Sequence, residues 1–294
     1  MLDDDVLENV LARLTRILGA PARAYQPFIV ENRSVGWLTD ERVSRLSSFD
    51  DVFRVGAGAI RLHATLDNPR TRSAALARVT RQLAQDRALS AWRNEMYAVR
   101  MAEADEPIFE IERAAARYFG IRTYAAHING LVPAAGDTSM WIARRSRDKA
   151  IDPGKLDNLV GGGVAAGTTI AATVVKEAWE EAGIPAALAR RAKPVATLHV
   201  RRDQPDGLQD EEIFVHDLWL PASFVPTNHD GEVIGHRLVD LSEAGRLISN
   251  VDGPDEVTAD ASLVILDAML RHGAIPPHSP FSEQLARFCE PSRA

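Results

Sequence analysis

The sequence predicts an α+β fold with a mixed sheet, on three observations. Strand-type runs stand on both sides of one central helix without the regular alternation of a doubly wound parallel sheet. A glycine-bearing loop, from Pro153 to Gly167, leads into that helix. The composition, 46% hydrophobic and 26% charged over 294 residues, is that of an ordinary globular protein. A chain of this length buries roughly 75% of its unfolded surface and needs no disulfide or metal staple to fold.

Taken in order, Val6, Leu7, Val10, Leu11, Leu14 and Leu18 recur at helical spacing and predict an amphipathic helix over Asp3–Leu18. Phe28–Val30 and Val35–Leu38 read as strands joined by the polar turn Glu31–Ser34, and Ala59–Leu62 as another. Ser73–Ala84 reads as a helix capped by Ser73, and Glu95–Met101 as a strand. Pro107 is expected to open a helix through Ile108, Ile111, Ala115 and Phe119 that Gly120 ends. A domain boundary is placed there, giving an N-terminal α+β domain over 1–120 and a second domain over 121–294. In the second, Thr123–Asn129 and Ser139–Ala143 are expected as antiparallel neighbours, followed by the glycine-bearing loop and a helix over Thr168–Glu181 with Gly183 just past its end. Val195–Arg202, Glu212–Leu220 and Val233–Asp240 are further strands; Leu241–Ser249, Ala259–Arg271 and Phe281–Phe288 are closing helices.

A net charge of −7 and a pI near 5.7 lack the basic footprint of a general nucleic-acid binder. One cysteine, Cys289, excludes an intramolecular disulfide and a cysteine-based zinc cluster. No apolar run approaches the ~20 residues of a membrane span, and Met1–Asp5 is acidic, unlike a secretory signal. The expected location is the reducing cytoplasm. Only four of the 34 basic residues are lysines, Lys149, Lys155, Lys176 and Lys193, all in one central stretch. In an arginine-dominated chain that hints at a use for compact point charges, against the alternative of chance clustering.

The segment Gly161-Gly162-Gly163 through Lys176-Glu177-Ala178-Trp179-Glu180-Glu181-Ala182-Gly183-Ile184 carries the chemistry. Glu177, Glu180 and Glu181 sit at i, i+3 and i+4, so three carboxylates share one helical face. Like charges so placed repel, and they make sense around a hard divalent cation, which takes oxygen ligands and pairs with phosphates. The bland alternative is a solvated acidic face.

This segment resembles the Nudix box, G-x5-E-x7-R-E-U-x-E-E-x-G-U with U apolar. Gly162 opens it, Lys176-Glu177 holds the Arg-Glu position, Glu180-Glu181 the Glu-Glu pair, and Gly183-Ile184 closes it. Thr168 replaces the first glutamate and Lys176 the arginine; Lys176 keeps the charge but loses the bidentate fork. The resemblance implies a Nudix-type mixed sheet and helix sandwich, with Glu177, Glu180, Glu181 and the Gly161 carbonyl holding Mg2+ or Mn2+. It also implies catalytic roles for Glu177 and Glu181, and for a further carboxylate, assigned to Glu232 in the loop Asn228–Val233. Arg144, Arg145, Lys149 and Lys155 are expected to hold the substrate's phosphates, and Trp37, Trp141 and Trp219 are candidates to stack on a ring if they are not core. His127 and His199, on presumed strands, read as structural.

A narrower resemblance, to the thiamine-diphosphate-active Nudix proteins and the Nudix portion fused to fungal thiamine pyrophosphokinase, rests on eight short pieces of the chain. These are Phe28, Gly36-Trp37 and Phe49–Phe53; His127–Gly130; Trp141–Ser146; Pro153–Asn158; Asp217-Leu218; and Phe224-Val225-Pro226. It implies a metal-dependent hydrolase of thiamine diphosphate or its ring-oxidised analogues, yielding the monophosphate. Two other readings stay open: a housecleaning hydrolase of nucleoside-diphosphate-linked compounds, and a non-catalytic Nudix-fold binding module in which Thr168 and Lys176 mark decay. Retention of all three box glutamates favours an enzyme, and an isomerase on this fold would want a catalytic cysteine better placed than Cys289. The expected partner is a small-molecule diphosphate, not nucleic acid or membrane, with a homodimer left open.

Overall fold

The structure is a computed structural model that describes residues 2–290 except 90, 135–136 and 252. The elements, in chain order, are α1 (Asp4–Ile17), β1 (Gln26–Val30), β2 (Arg33–Leu38), α2 (Asp40–Leu46), β3 (Phe53–Gly56), β4 (Ala59–Leu62), α3 (Pro69–Gln85), β5 (Met96–Val99), β6 (Phe109–Glu112) and α4 (Arg113–Phe119). They continue with β7 (Arg122–Ala134), β8 (Asp137–Arg145), β9 (Leu156–Asn158), β10 (Val160–Gly163), α5 (Ile170–Ala182), α6 (Ala186–Ala189), β11 (Lys193–Gln204), β12 (Gly207–Trp219), β13 (Val233–Asp240), α7 (Leu241–Ser249), α8 (Ala259–Arg271) and α9 (Ser282–Ala286). A short 3-10 turn over Arg287–Cys289 follows.

In the first half, β2-β1-β4-β3 form a four-stranded sheet and β5 pairs with β6. Phe28, Phe53, Phe109 and Phe119 meet in its core with centroid separations of 5.7–6.3 Å. The second half is a seven-stranded sheet in the order β11-β12-β7-β8-β13, with β10 beside β7 and β9 beside β8. The β12–β7 pairing is parallel and the other pairings in this sheet are antiparallel, which makes the sheet mixed as expected. Successive side chains on β7 point to opposite faces. Ala126, Ile128 and Val132 pack under α5, whereas Leu131 joins the core of α1, α7 and α8 on the other face. The sheet is thus covered on both sides.

Four sequence expectations change. Residues Pro107–Phe119 are not one helix: Phe109 and Ile111 alternate with Glu110 and Glu112 and pair with β5, so α4 begins only at Arg113, though Gly120 does end it in a left-handed cap. Asn68, not Ser73, caps α3; its side chain accepts from the Thr71 N–H, and Pro69 occupies the first turn. The helix α2 and the strand β3, too short for periodicity to reveal, fill what read as a connection. The stretch Pro153–Gly167 contains β9 and β10; the Asp-Asn pair of the three-residue β9 and the glycines of β10 are depleted in strands and hid them.

The helix α1 formed as expected, with the Asp3 carboxylate capping the Val6 N–H, but it does not join the first half. Leu7, Val10 and Leu14 pack among Leu131, Met140, Leu247 and Ile265. Arg13, 2% exposed, pins it there. Its Nη1 donates to Ile248 O (3.0 Å) and Ser262 Oγ (2.8 Å), and its Nη2 to Val257 O (2.5 Å), with Glu256 at 4.0 Å. Replacing Arg13 by Met keeps the stem but strands two buried carbonyls. We expect Arg13→Met to cost about 2–4 kcal/mol in urea unfolding; an unchanged midpoint would show that the contact is decorative.

Candidate active site

The site is organised around β10 and the helix that follows it. Thr169 caps α5 by accepting from the Ala172 N–H at 3.2 Å, and Gly183 ends the helix at φ 64°, a left-handed conformation that glycine adopts without a Cβ clash. Burial of Val174, Ala178 and Ala182 against Ile128, Leu159 and Val160 fixes the helix's rotation, which carries its carboxylates to the flank facing β10. There the Gly161 N–H donates to Glu181 Oε2 at 2.8 Å. A Cβ on Gly162 would stand 2.4 Å from Glu177 Cγ, one on Gly161 3.0 Å from the His127 ring, and one on Gly163 2.0 Å from the Tyr97 hydroxyl. The three glycines therefore form a thin partition, with Glu177 on one side and His127 and Tyr97 on the other.

Burial pushes the Glu181 carboxyl up to about 8; Lys149 and the Gly161 N–H offset this in part, while Asp157 and Glu177 add to it. Glu177 is raised as well, by burial first, against the opposing pull of Lys176. Two lysines stand among these carboxylates. Lys176 Nζ donates to Glu177 Oε1 (2.9 Å) and Glu180 Oε2 (2.6 Å). Lys149 Nζ donates to Glu232 Oε2 and lies 4.0 Å from Glu181 Oε1. The donor set, hard carboxylate oxygens on one flank with a buried negative charge to neutralise, fits a hard divalent cation in its chemistry. As they stand, no three Asp, Glu, His or Cys groups among the described residues converge as a metal cage, and the carboxylates are paired with Lys176 and Lys149 instead. Lys176, with 57% of its side chain exposed, is free to swing aside.

A cleft opens on the far side of β10, between the two halves of the chain. Its floor is Thr123, Ala125 and His127 of β7, and Gly161–Gly163, Arg145, Lys149 and Glu232 line it. Arg145 is held by Asp157 (2.6 Å) and the carbonyls of Ile151 (2.9 Å) and Asp152 (3.2 Å). Arg144, expected beside it, turns away, since neighbours on a strand face opposite sides. It pairs with Asp255 and donates to Gly154 O and Pro254 O. Lys155 is likewise spent on Asp152 (2.9 Å) and Glu256 (3.1 Å) and is not part of the cleft wall.

None of the three candidate tryptophans lines the cleft. Trp37 lies under Arg201, Trp141 packs on the α5 side, and Trp219 faces His272. His199 is structural as expected, 2.9 Å from Asp210. His127 is not only structural: its Nδ1 lies 2.8 Å from Asn158 Oδ1 and its ring borders the cleft. Tyr97, Arg113 and Glu211 also line the cleft, and no spacing in the sequence marks them.

The Glu181 carboxyl has a folded-state value of about 8 against an ordinary 4.5, so folding takes up a proton between these values and stability falls as pH rises across that window. Glu181→Gln removes the buried charge. Without divalent metal, the variant should melt a few degrees above the wild type near pH 8.5, and the difference should shrink toward about pH 5. Equal melting at both pH values would mean that the charge is fully compensated.

Residues 125–261 match the NUDIX domain family, and residues 8–123 match a domain of unknown function, DUF4743. The chain is 39% identical over 257 residues to Nudix hydrolase 24, chloroplastic, of Arabidopsis thaliana, covering 86% of this chain and 69% of that protein. It is 36% identical over 262 residues to Nudix hydrolase 20, chloroplastic, of the same plant, with the same coverage. A crystal structure of a Deinococcus radiodurans protein is 24% identical, covering 58% of this chain and 97% of that one, at a TM-score of 0.43. The glycine partition and box helix thus sit within a chain that belongs to the Nudix hydrolase family, enzymes that typically cleave diphosphate-containing substrates with a divalent metal.

Proposed function

We propose that this chain hydrolyses the diphosphate of thiamine diphosphate, or of analogues with an oxidised ring, to the monophosphate and phosphate, using Mg2+ or Mn2+. One observation carries the substrate reading: the cleft combines cations beside the glycine run with a carboxylate farther along. Arg145 and Lys149 lie by the Gly161 end, where His127 pairs in register with Gly161. Glu211 pairs with Thr123 two residues beyond Ala125, the partner of Gly163, and so lies toward the other end. A diphosphate suits the first end, and a cationic ring suits the Glu211 carboxylate toward the second.

Glu177, Glu180, Glu181 and the Gly161 carbonyl would hold the metal, which when bound neutralises phosphate oxygens and acidifies a water. Arg145 and Lys149 orient the terminal phosphate. Water adds to the terminal phosphorus, the bond from that phosphorus to the bridging oxygen breaks, and the water's proton goes to the Glu232 carboxylate. Lys149 pairs with Glu232 and holds it at the cleft wall.

Phosphate release from a panel of diphosphates tests this. Activity should vanish in excess EDTA, and Glu181→Gln should lower kcat by about 10²-fold or more with folding intact. The kcat/KM for thiamine diphosphate or an oxidised-ring analogue should exceed that for ADP-ribose and nucleoside triphosphates at least about tenfold, or ~1.4 kcal/mol. Equal turnover of ADP-ribose would overturn the substrate while leaving the diphosphate chemistry; full activity after metal stripping would overturn the metal.

A further inference from the structure

Tyr97 belongs to the first half of the chain, yet its hydroxyl ends against the glycine run of the second. The strand β5 is tied to that region by a backbone hydrogen bond, from the Ala166 N–H to Met96 O at 2.7 Å, one residue away from Tyr97. The side chain is only 7% exposed, and its ring lies under the Arg113 guanidinium at 5.8 Å. Arg113 is in turn held by Glu95 at 2.7 Å and lines the same cleft. Every other cleft group discussed above is committed: Arg145 to Asp157, Lys149 to Glu232, His127 to Asn158. The Tyr97 hydroxyl has no hydrogen-bond partner among the described residues, and it reaches the cleft where a side chain on residue 163 would have stood. The ring is buried, but the hydroxyl is open to the cleft, so a ligand there can take its hydrogen bond.

We propose that Tyr97 is a substrate-binding residue, donating its hydroxyl hydrogen to a non-bridging oxygen of the substrate diphosphate laid along Gly161–Gly163, with Arg113 behind it as a second positive field. This rests on the diphosphate-hydrolase reading and adds to it a contact from outside the Nudix half. Because the contact is to the phosphates, it does not depend on which organic group the diphosphate carries.

Tyr97→Phe removes the hydroxyl and keeps the ring that fills the space beside Gly163. Titration calorimetry with inorganic pyrophosphate in Mg2+ buffer should show binding weakened about tenfold relative to wild type, the usual scale for a hydrogen bond to a charged group. The melting temperature should be unchanged, and with a hydrolysed diphosphate KM should rise more than kcat falls. A residue that only packs the interface would shift melting and leave pyrophosphate affinity alone. Equal pyrophosphate affinity in the two proteins, or no pyrophosphate binding by wild type, overturns the proposal. If wild type binds pyrophosphate more tightly than Tyr97→Phe but hydrolyses no diphosphate, the contact stands and the hydrolase reading falls. If both proteins hydrolyse and bind alike, the reverse holds.

Discussion

The arrangement depends on the closeness of β10 to α5. The Gly161 N–H reaches a carboxylate at 2.8 Å only because the run Gly161–Gly163 has no side chains to hold strand and helix apart. The same absence admits Glu177 on one side and Tyr97 and His127 on the other. Any larger residue in that run would meet Glu177, the His127 ring or the Tyr97 hydroxyl at 3.0 Å or less. The glycines are therefore a packing requirement set by three neighbours, and flexibility is the lesser part of their role.

That closeness has an electrostatic cost. It buries Glu181 and much of Glu177 beside other carboxylates, and among the described residues no arginine forms a bidentate pair with either. Lysines answer instead: Lys149 and Lys176 each stand between two carboxylates, and these are two of only four lysines in the chain. A compact ammonium on a flexible stem neutralises such a group without locking it, and it can withdraw when another cation or an anionic substrate arrives; a guanidinium fork would hold its partner in place. The replacement of the box arginine by Lys176 is intelligible in that light, since Lys176 bridges Glu177 and Glu180 from an exposed position.

Sequence periodicity reached the elements whose burial is one-sided and long. The helices α1, α5, α7 and α8, and the strands β7, β8, β11, β12 and β13, were all legible because their apolar spacing spans several turns or alternations. It missed α2 and β3, which are short, and β9 and β10, whose glycines and polar residues carry no hydrophobic signal. The box glutamates were legible because their spacing is set within one helix. The cleft was not, because Tyr97, Thr123 and Glu211 come together only through the pairing of β7 with β12 and the docking of β5. Arg144 misled for a local reason: two adjacent arginines on one strand cannot both face the same side, and sequence alone does not say which does.

The path of α1 bears on what the first half contributes. Cut after residue 120, the remaining chain would lose not only the wall carrying Tyr97 and Arg113 but also the helix that closes the core of α7 and α8. Arg13 binds that helix to Val257 O, and the next residue, Thr258, both caps α8 and borders the cleft. The two halves are thus joined at the cleft twice, once by β5 beside the glycine run and once by α1 behind the loop that leads into α8. A cleft walled from both halves and braced from behind holds its floor and the Arg145–Asp157 pair in place before any ligand arrives. Preorganisation of that kind lowers the cost of binding a charged ligand.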